Sequence, residues 1–242
     1  MSIAGSVLYG FANVFHPRML WLMAWPMLLA LASWGIAAYL LWTRISQPLA
    51  GLLQRWLEVL LGWLPFDLGG LAAFIASSML VMLFFALVYL TALFIIGVFG
   101  MQKMVDHVAS RSYPHLQRLR GGSAAGGVWN ALVALGGMVM LFMVSLPLWL
   151  VPPLGPFVLL GILSWANQRL LRYDALAEHA DRAEMARIFG ERRGALYLLG
   201  FLMALFAYVP LVQFLGPVVF GLAFIHYLLG AISQQRGREI GY

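Results

Sequence analysis

Two residues in this chain have a type and setting suited to handling an ion. Arg18 directly follows Pro17 at the edge of a long uncharged run. A proline in the first helical turn costs no hydrogen bond, because the N–H it lacks has no partner there. The backbone N–H groups and positive dipole end of such a helix start favour an anion. A guanidinium adds a planar fork that matches two oxygens of an oxyanion and stays charged at any relevant pH. The same residue also suits a second role, as an arginine that snorkels to the interface and fixes topology. His226 stands in the middle of the last apolar segment. A titratable residue at membrane depth is a functional position by default, the other reading being a histidine bonded to a neighbouring helix. Arg18 and His226 are therefore the candidate residues for binding a small inorganic anion, with Gln168 and Gln213 as further polar lining.

Other constellations carry less chemistry. Glu178-His179, Asp181 and Glu184 bring together metal-ligand types, but the spacings Glu178–Arg182, Glu184–Arg187 and Arg187–Glu191 predict a solvated, salt-bridged helix instead. The run Gly121-Gly122-Ser123-Ala124-Ala125-Gly126-Gly127 is followed by Val128-Trp129, where a phosphate-cradling loop needs Lys-Ser/Thr. It reads as a flexible joint. Neither Gly-x-Ser-x-Gly nor His-Glu-x-x-His occurs, and the chain has no cysteine. No catalytic residue, metal site or cofactor is expected, and the chain does not read as an enzyme.

The elements that must position Arg18 and His226 are those of a membrane protein. The 242 residues are 63% hydrophobic and 10% charged, with mean hydropathy +0.88, against about 25% charged in soluble domains. The net charge of +6 does not form a nucleic-acid patch. Thirteen of the fifteen Lys/Arg, all but Arg44 and Arg55, fall in segments that one topology places on the same side. That is the positive-inside bias; it puts both termini in the cytoplasm and 44–67 outside. The start carries no cationic region of a removable signal peptide.

A single membrane domain over 1–242 accounts for the pattern. Residues 1–16 form an interfacial amphipathic helix. Residues 18–43 and 68–102 form two transmembrane helices, joined by 44–67, whose leucines recur opposite Gln54, Arg55 and Glu58 as in a surface-lying helix. Two apolar hairpins follow, 128–170 and 195–233, separated by a charged collar over 171–194. Both hairpin tips combine Val-Pro with Leu-Gly-Pro and carry no charge. The arm before Pro210 has only about 15 residues, roughly 22 Å of helix, short of a ~30 Å hydrocarbon core. Non-helical backbone at that depth is tolerated only in protein or a watery cavity. The second hairpin therefore reads as re-entrant, and by the repeat so does the first. The expected fold is all-α, with two long transmembrane helices, two re-entrant helical hairpins and an N-terminal interfacial helix.

The residues His16-Pro17-Arg18, the collar's Tyr173-Asp174, His179, Glu184-Met185 and Arg187, and Val209-Pro210 with Leu215-Gly216-Pro217, complete a wider pattern. In this the chain resembles the CysZ-type sulfate permeases, within the superfamily of etoposide-induced-protein-like membrane proteins. Where those permeases carry Gly-Leu/Ile-Arg-Arg at the start of the first long helix, this chain has Pro17-Arg18-Met19-Leu20, and only Arg18 is carried over. The resemblance implies homo-oligomers in the bacterial inner membrane and sulfate uptake that is proton-linked or channel-like. The function expected is thus a permease or conduit for a small oxyanion. A scaffold whose hairpins bind a partner or lipid is the alternative. The lipid bilayer, a small inorganic anion and further copies of the chain are the partners expected, and nucleic acid is not.

Overall fold

The computed structural model describes residues 2–63, 65, 67–206 and 208–240, without the side chains of 98, 124, 210–214, 239 and 240. Gln213 and most of the second hairpin tip thus lie outside the described side chains. The described residues are mostly helical, with no strand among them. The chain is an all-α membrane protein, and four of the described helices are long and apolar enough to cross a bilayer.

Residues 1–20 and 99–242 form one compact unit, and 21–98 a second. In the first unit, α1 (Ile3–Val14) is capped by the Ser2 hydroxyl, which accepts from Gly5 N at 3.1 Å, and it buries Ser6, Gly10 and Val14. The core is α9 (Pro210–Ile240), whose Phe220, Leu222, Phe224, Ile225, Leu228, Leu229 and Ile232 are wholly buried. Burying each such side chain contributes about 1.5–3 kcal/mol. Four helices cover α9: α1, α4 (Met101–Ser112), α6 (Gly155–Leu176) and α8 (Arg193–Phe206). Close approach explains two of the glycines. A methyl on Gly10 would strike the Val219 carbonyl where α1 crosses α9, and one on Gly200 would strike the Ser164 carbonyl where α8 crosses α6. The first hairpin joins α5 (Ala124–Ser145) to α6 through 3-10 turns at Leu146–Leu150 and Pro152–Leu154. The second joins α8, of 14 residues, to α9.

Two expectations change. Residues 17–61 are one helix, α2 (Pro17–Leu61), with Pro26 and Pro48 inside it, so the separate surface helix over 44–67 does not form. Thr43, Arg44, Ser46 and Gln47 alter polarity but contain no glycine, so nothing there breaks the backbone before Pro48. The uncharged run from Leu68 is also divided: α3 (Leu68–Ile95) gives way to a π-helical turn at Ile96–Gly100 before α4. Within the second unit, α2 and α3 meet at Ala30, Val88 and Ala92, flanked by Trp34 and Phe84. There the Trp34 indole donates to the Thr91 hydroxyl at 2.9 Å.

The glycine run is no free joint. Arg120, Gly121 and Gly122 donate their N–H groups to the carbonyls of Glu178, Ala180 and Ala177 at 2.8–3.0 Å. Side chains at Gly121 or Gly122 would collide with that same stretch. The glycines are needed for close docking, which a sequence pattern does not distinguish from looseness.

Candidate anion site

The start of α2 is organised by His16. Its carbonyl accepts from Met19 N at 2.8 Å and Leu20 N at 3.0 Å, and its Nδ1 accepts from Arg18 N at 3.3 Å. With Pro17 lacking an N–H, the helix start has no free amide to offer an anion, which corrects that part of the expectation. The Arg18 guanidinium is left as the donor, and the residue is exposed.

Around it the first unit gathers positive charge. The rings of His16 and His107 lie 4.9 Å apart, tilted by 57°. His107, on α4, is 9% exposed, and its Nε2 is buried without a hydrogen-bond partner. Burial, then the nearby charges of His16, Arg111 and Arg18, hold its pKa below the ordinary histidine value. At neutral pH it is an uncharged ring amid cations. Neither Arg18 nor Arg111 forms an ion pair among the described residues. A desolvated imidazole beside unpaired guanidiniums can donate to an oxyanion and gains a proton more readily once that anion arrives. His107 was not singled out from sequence; it sits 89 positions from Arg18, and no local signal joins them.

His226 belongs to a different cluster. Its Nδ1 shares a hydrogen bond with the Ser6 hydroxyl at 3.3 Å, and its ring stacks on Tyr9 at 4.1 Å. Its carbonyl accepts from the Tyr113 hydroxyl at 3.1 Å, and the Ser112 hydroxyl donates to that of Tyr9 at 3.2 Å. Burial raises the Tyr113 pKa to about 12, keeping it a donor. These contacts tie α1 and the end of α4 to the middle of α9. No described contact joins Arg18 to His226. Gln168 is buried on α6, with its Oε1 unpartnered.

The collar carries a third cluster. Helix α7 (Arg182–Glu191) opens with a capping box, in which the Asp181 side chain accepts from Glu184 N at 2.7 Å and Glu184 accepts from Asp181 N at 3.0 Å. Arg236 grips Glu184 with two bonds, Nε to Oε1 at 2.8 Å and Nη2 to Oε2 at 2.9 Å. It also donates to the carbonyls of His179 at 2.7 Å and Gln117 at 3.1 Å. Glu178 pairs with Arg118 at 3.5 Å rather than with Arg182, and Arg118 also reaches Asp106 at 2.6 Å. The described ion pairs thus join different elements, and no metal-binding group of His, Asp and Glu forms among the described residues. His179, 1% exposed, is held below its ordinary pKa by burial.

A family model described as Sulfate transporter CysZ/Etoposide-induced protein 2.4 matches residues 6–217. No curated protein and no solved structure matches the chain.

Proposed function

The chain belongs to the Sulfate transporter CysZ/Etoposide-induced protein 2.4 family, and from that premise we propose that it is a conduit for a small oxyanion such as sulfate in the bacterial inner membrane. It carries out transport and no covalent chemistry. The observation that carries this reading is the His16–His107 ring pair, with the buried, unpartnered Nε2 of His107 and the charges of Arg18 and Arg111 close enough to lower its pKa. Arg18 receives the anion, the buried Nε2 of His107 offers a second donor, and His226 contributes polarity deeper in the chain. The Lys/Arg-rich segments and both termini are cytoplasmic. The second hairpin enters from that side without crossing, α8 with its 14 residues being too short to span. By the repeat of its tip the first does likewise, although its first arm is long enough to cross. The working form is a homo-oligomer.

Flux of labelled sulfate into liposomes holding the purified full chain tests the reading. A charge-assisted hydrogen bond is worth roughly 1.5–3 kcal/mol, so Arg18→Gln should weaken sulfate uptake by about 10- to 150-fold at limiting sulfate. Arg18→Lys should fall between, because it keeps the charge and loses the fork. Parent-like uptake by both variants would make Arg18 an interfacial anchor, and no uptake by the parent would sink the conduit.

A further inference from the structure

Where the glycine run enters α5 and α6 nears its end, the surface holds an open cavity of about 380 Å³. Its lining includes Arg169, Arg182, Ser123, Asn130, Tyr173 and Trp129, and none of its lining residues is acidic. The Arg169 Nε is buried and has no hydrogen-bond partner. Its guanidinium carbon lies 5.8 Å from the centre of the Trp165 ring. Asn130 is fixed beside it, donating its side-chain N–H to the Arg169 carbonyl at 3.0 Å. Tyr173 is fixed by the Ser123 N–H, which donates to its hydroxyl at 3.2 Å.

The charge around this cavity is unbalanced. Arg182 is exposed and lacks the Glu178 partner its spacing predicts, since Glu178 turns to Arg118. Neither Arg169 nor Arg182 makes an ion pair among the described residues. Arg172 adds a third cation, stacked at 4.7 Å on Phe189, which also lines the cavity. Asp174 faces Gly127 on the neighbouring turn and is not part of the lining. With no carboxylate in the lining itself, an anion in the cavity would face the arginines directly and relieve their mutual repulsion.

We propose that this cavity binds a phosphate-class oxyanion, with the headgroup of an anionic lipid as its source. The flank decides for lipid over free phosphate. Trp129 is 68% exposed, and Val128, Leu132 and Leu135 continue an exposed apolar face along α5. Acyl chains can lie on that face while the headgroup sits between the arginines, at the boundary of apolar hairpin and charged collar. Basic pockets at such a boundary are suited to acidic headgroups, whereas free phosphate has no use for the apolar flank. This site is separate from Arg18, so its test does not depend on transport.

Native mass spectrometry of the purified full chain, given equimolar dioleoyl phosphatidylglycerol and dioleoyl phosphatidylcholine, reads the site. Phosphatidylglycerol adducts should dominate in the parent. Arg182→Gln should reduce them roughly tenfold, the loss of one charge-assisted contact, while phosphatidylcholine adducts and the melting temperature hold. Arg169→Gln should do the same, and Arg192→Gln, a collar arginine outside the lining, should keep the parent pattern. Equal retention of the two lipids, or parent-like phosphatidylglycerol adducts in both cavity variants, would overturn the proposal. Displacement of the lipid by equimolar inorganic phosphate would overturn the lipid assignment and leave free phosphate as the occupant.

Discussion

Helices α9 and α3 are both apolar over a membrane-length window, yet 83% of the α9 window is buried inside the protein against 17% of that of α3. A helix apolar on all sides must leave water, but its sequence does not say whether protein or lipid receives it. Helix α9 is received by α1, α4, α6 and α8. Helix α3 leaves Phe74, Met82, Phe85 and Phe94 exposed, and its described packing against α2 is local. The difference lies in what surrounds the apolar residues. Around α9 the covering elements are held by polar clamps: Ser6 to His226, Tyr113 to the His226 carbonyl, and Arg236 to Glu184. Between α2 and α3 the described clamp is Trp34 to Thr91. In lipid no hydrophobic force drives such a pair together, and close packing and hydrogen bonds must do it.

If clamps hold the first unit closed, the strongest one should show it most. Arg236 and Glu184 have side chains 19% and 14% exposed. Arg236→Ala would leave the Glu184 carboxylate with no guanidinium, only the Asp181 N–H of its capping box, and would take the same donor from two carbonyls, at a cost of about 3 kcal/mol. A melting temperature well below the parent's is the expected result; an unchanged one would mean that α9 needs no clamp from the collar. Acid should act through the same contact. The hydrogen bond from Arg236 holds the Glu184 pKa below its ordinary value of 4.5. A depressed folded-state pKa gives stability that is full above the unfolded value and fades as pH falls through the folded one. The parent should therefore lose stability on acidification below about pH 4.5, and Arg236→Ala should lose less over that window.

Packing gives the next effect. At Gly10 any Cβ meets the Val219 backbone carbonyl, which cannot swing aside as a side chain would. Gly10→Ala should therefore push α1 off α9 at a cost of about 1–3 kcal/mol, read as a lower melting temperature. A parent-like melt would show that α1 is loosely laid on α9 and that the buried core does not depend on their close approach.

Much of this was legible in the sequence, and the failures share a cause. The all-helical fold and the long apolar helices follow from local apolar spacing and from charge placement, which the chain displays directly. The capping box is likewise local, since Asp181 and Glu184 stand three apart. Contacts across long separations were not legible. Arg236 reaches Glu184 over 52 positions, and His226 reaches Ser6 over 220. Nothing in the run from Val218 to Ile232 marks it as core rather than lipid-facing. Of the two candidate residues, Arg18 is exposed near Arg111 and the His16–His107 pair, and His16 occupies its helix start. His226 turns out to bond a neighbouring helix, a role open to it from the sequence. Helix α2 differs for another reason: a change from apolar to polar residues marks a change of surroundings and not an end of helical backbone, which continues through it to Leu61.

The smallest expected effect probes the open side of the comparison. Gly35, inside α2, has nothing within 4 Å of where a Cβ would stand, so the single chain gives no reason for a glycine there. Alanine restricts the unfolded chain and suits a helix better, by roughly 0.5–1 kcal/mol. In dilute detergent, where the exposed faces of α2 and α3 meet only detergent, Gly35→Ala should leave the melting temperature unchanged or slightly raised. That would set it opposite to Gly10→Ala, with identical chemistry and opposite sign because one glycine is packed and the other open. A second copy of the chain would change this outcome. Small residues let membrane helices approach closely, so a partner seated on α2 at Gly35 would be pushed back by the added methyl. A Gly35→Ala variant that sediments as a smaller species than the parent, and melts lower, would show that the face open in one chain is closed by another.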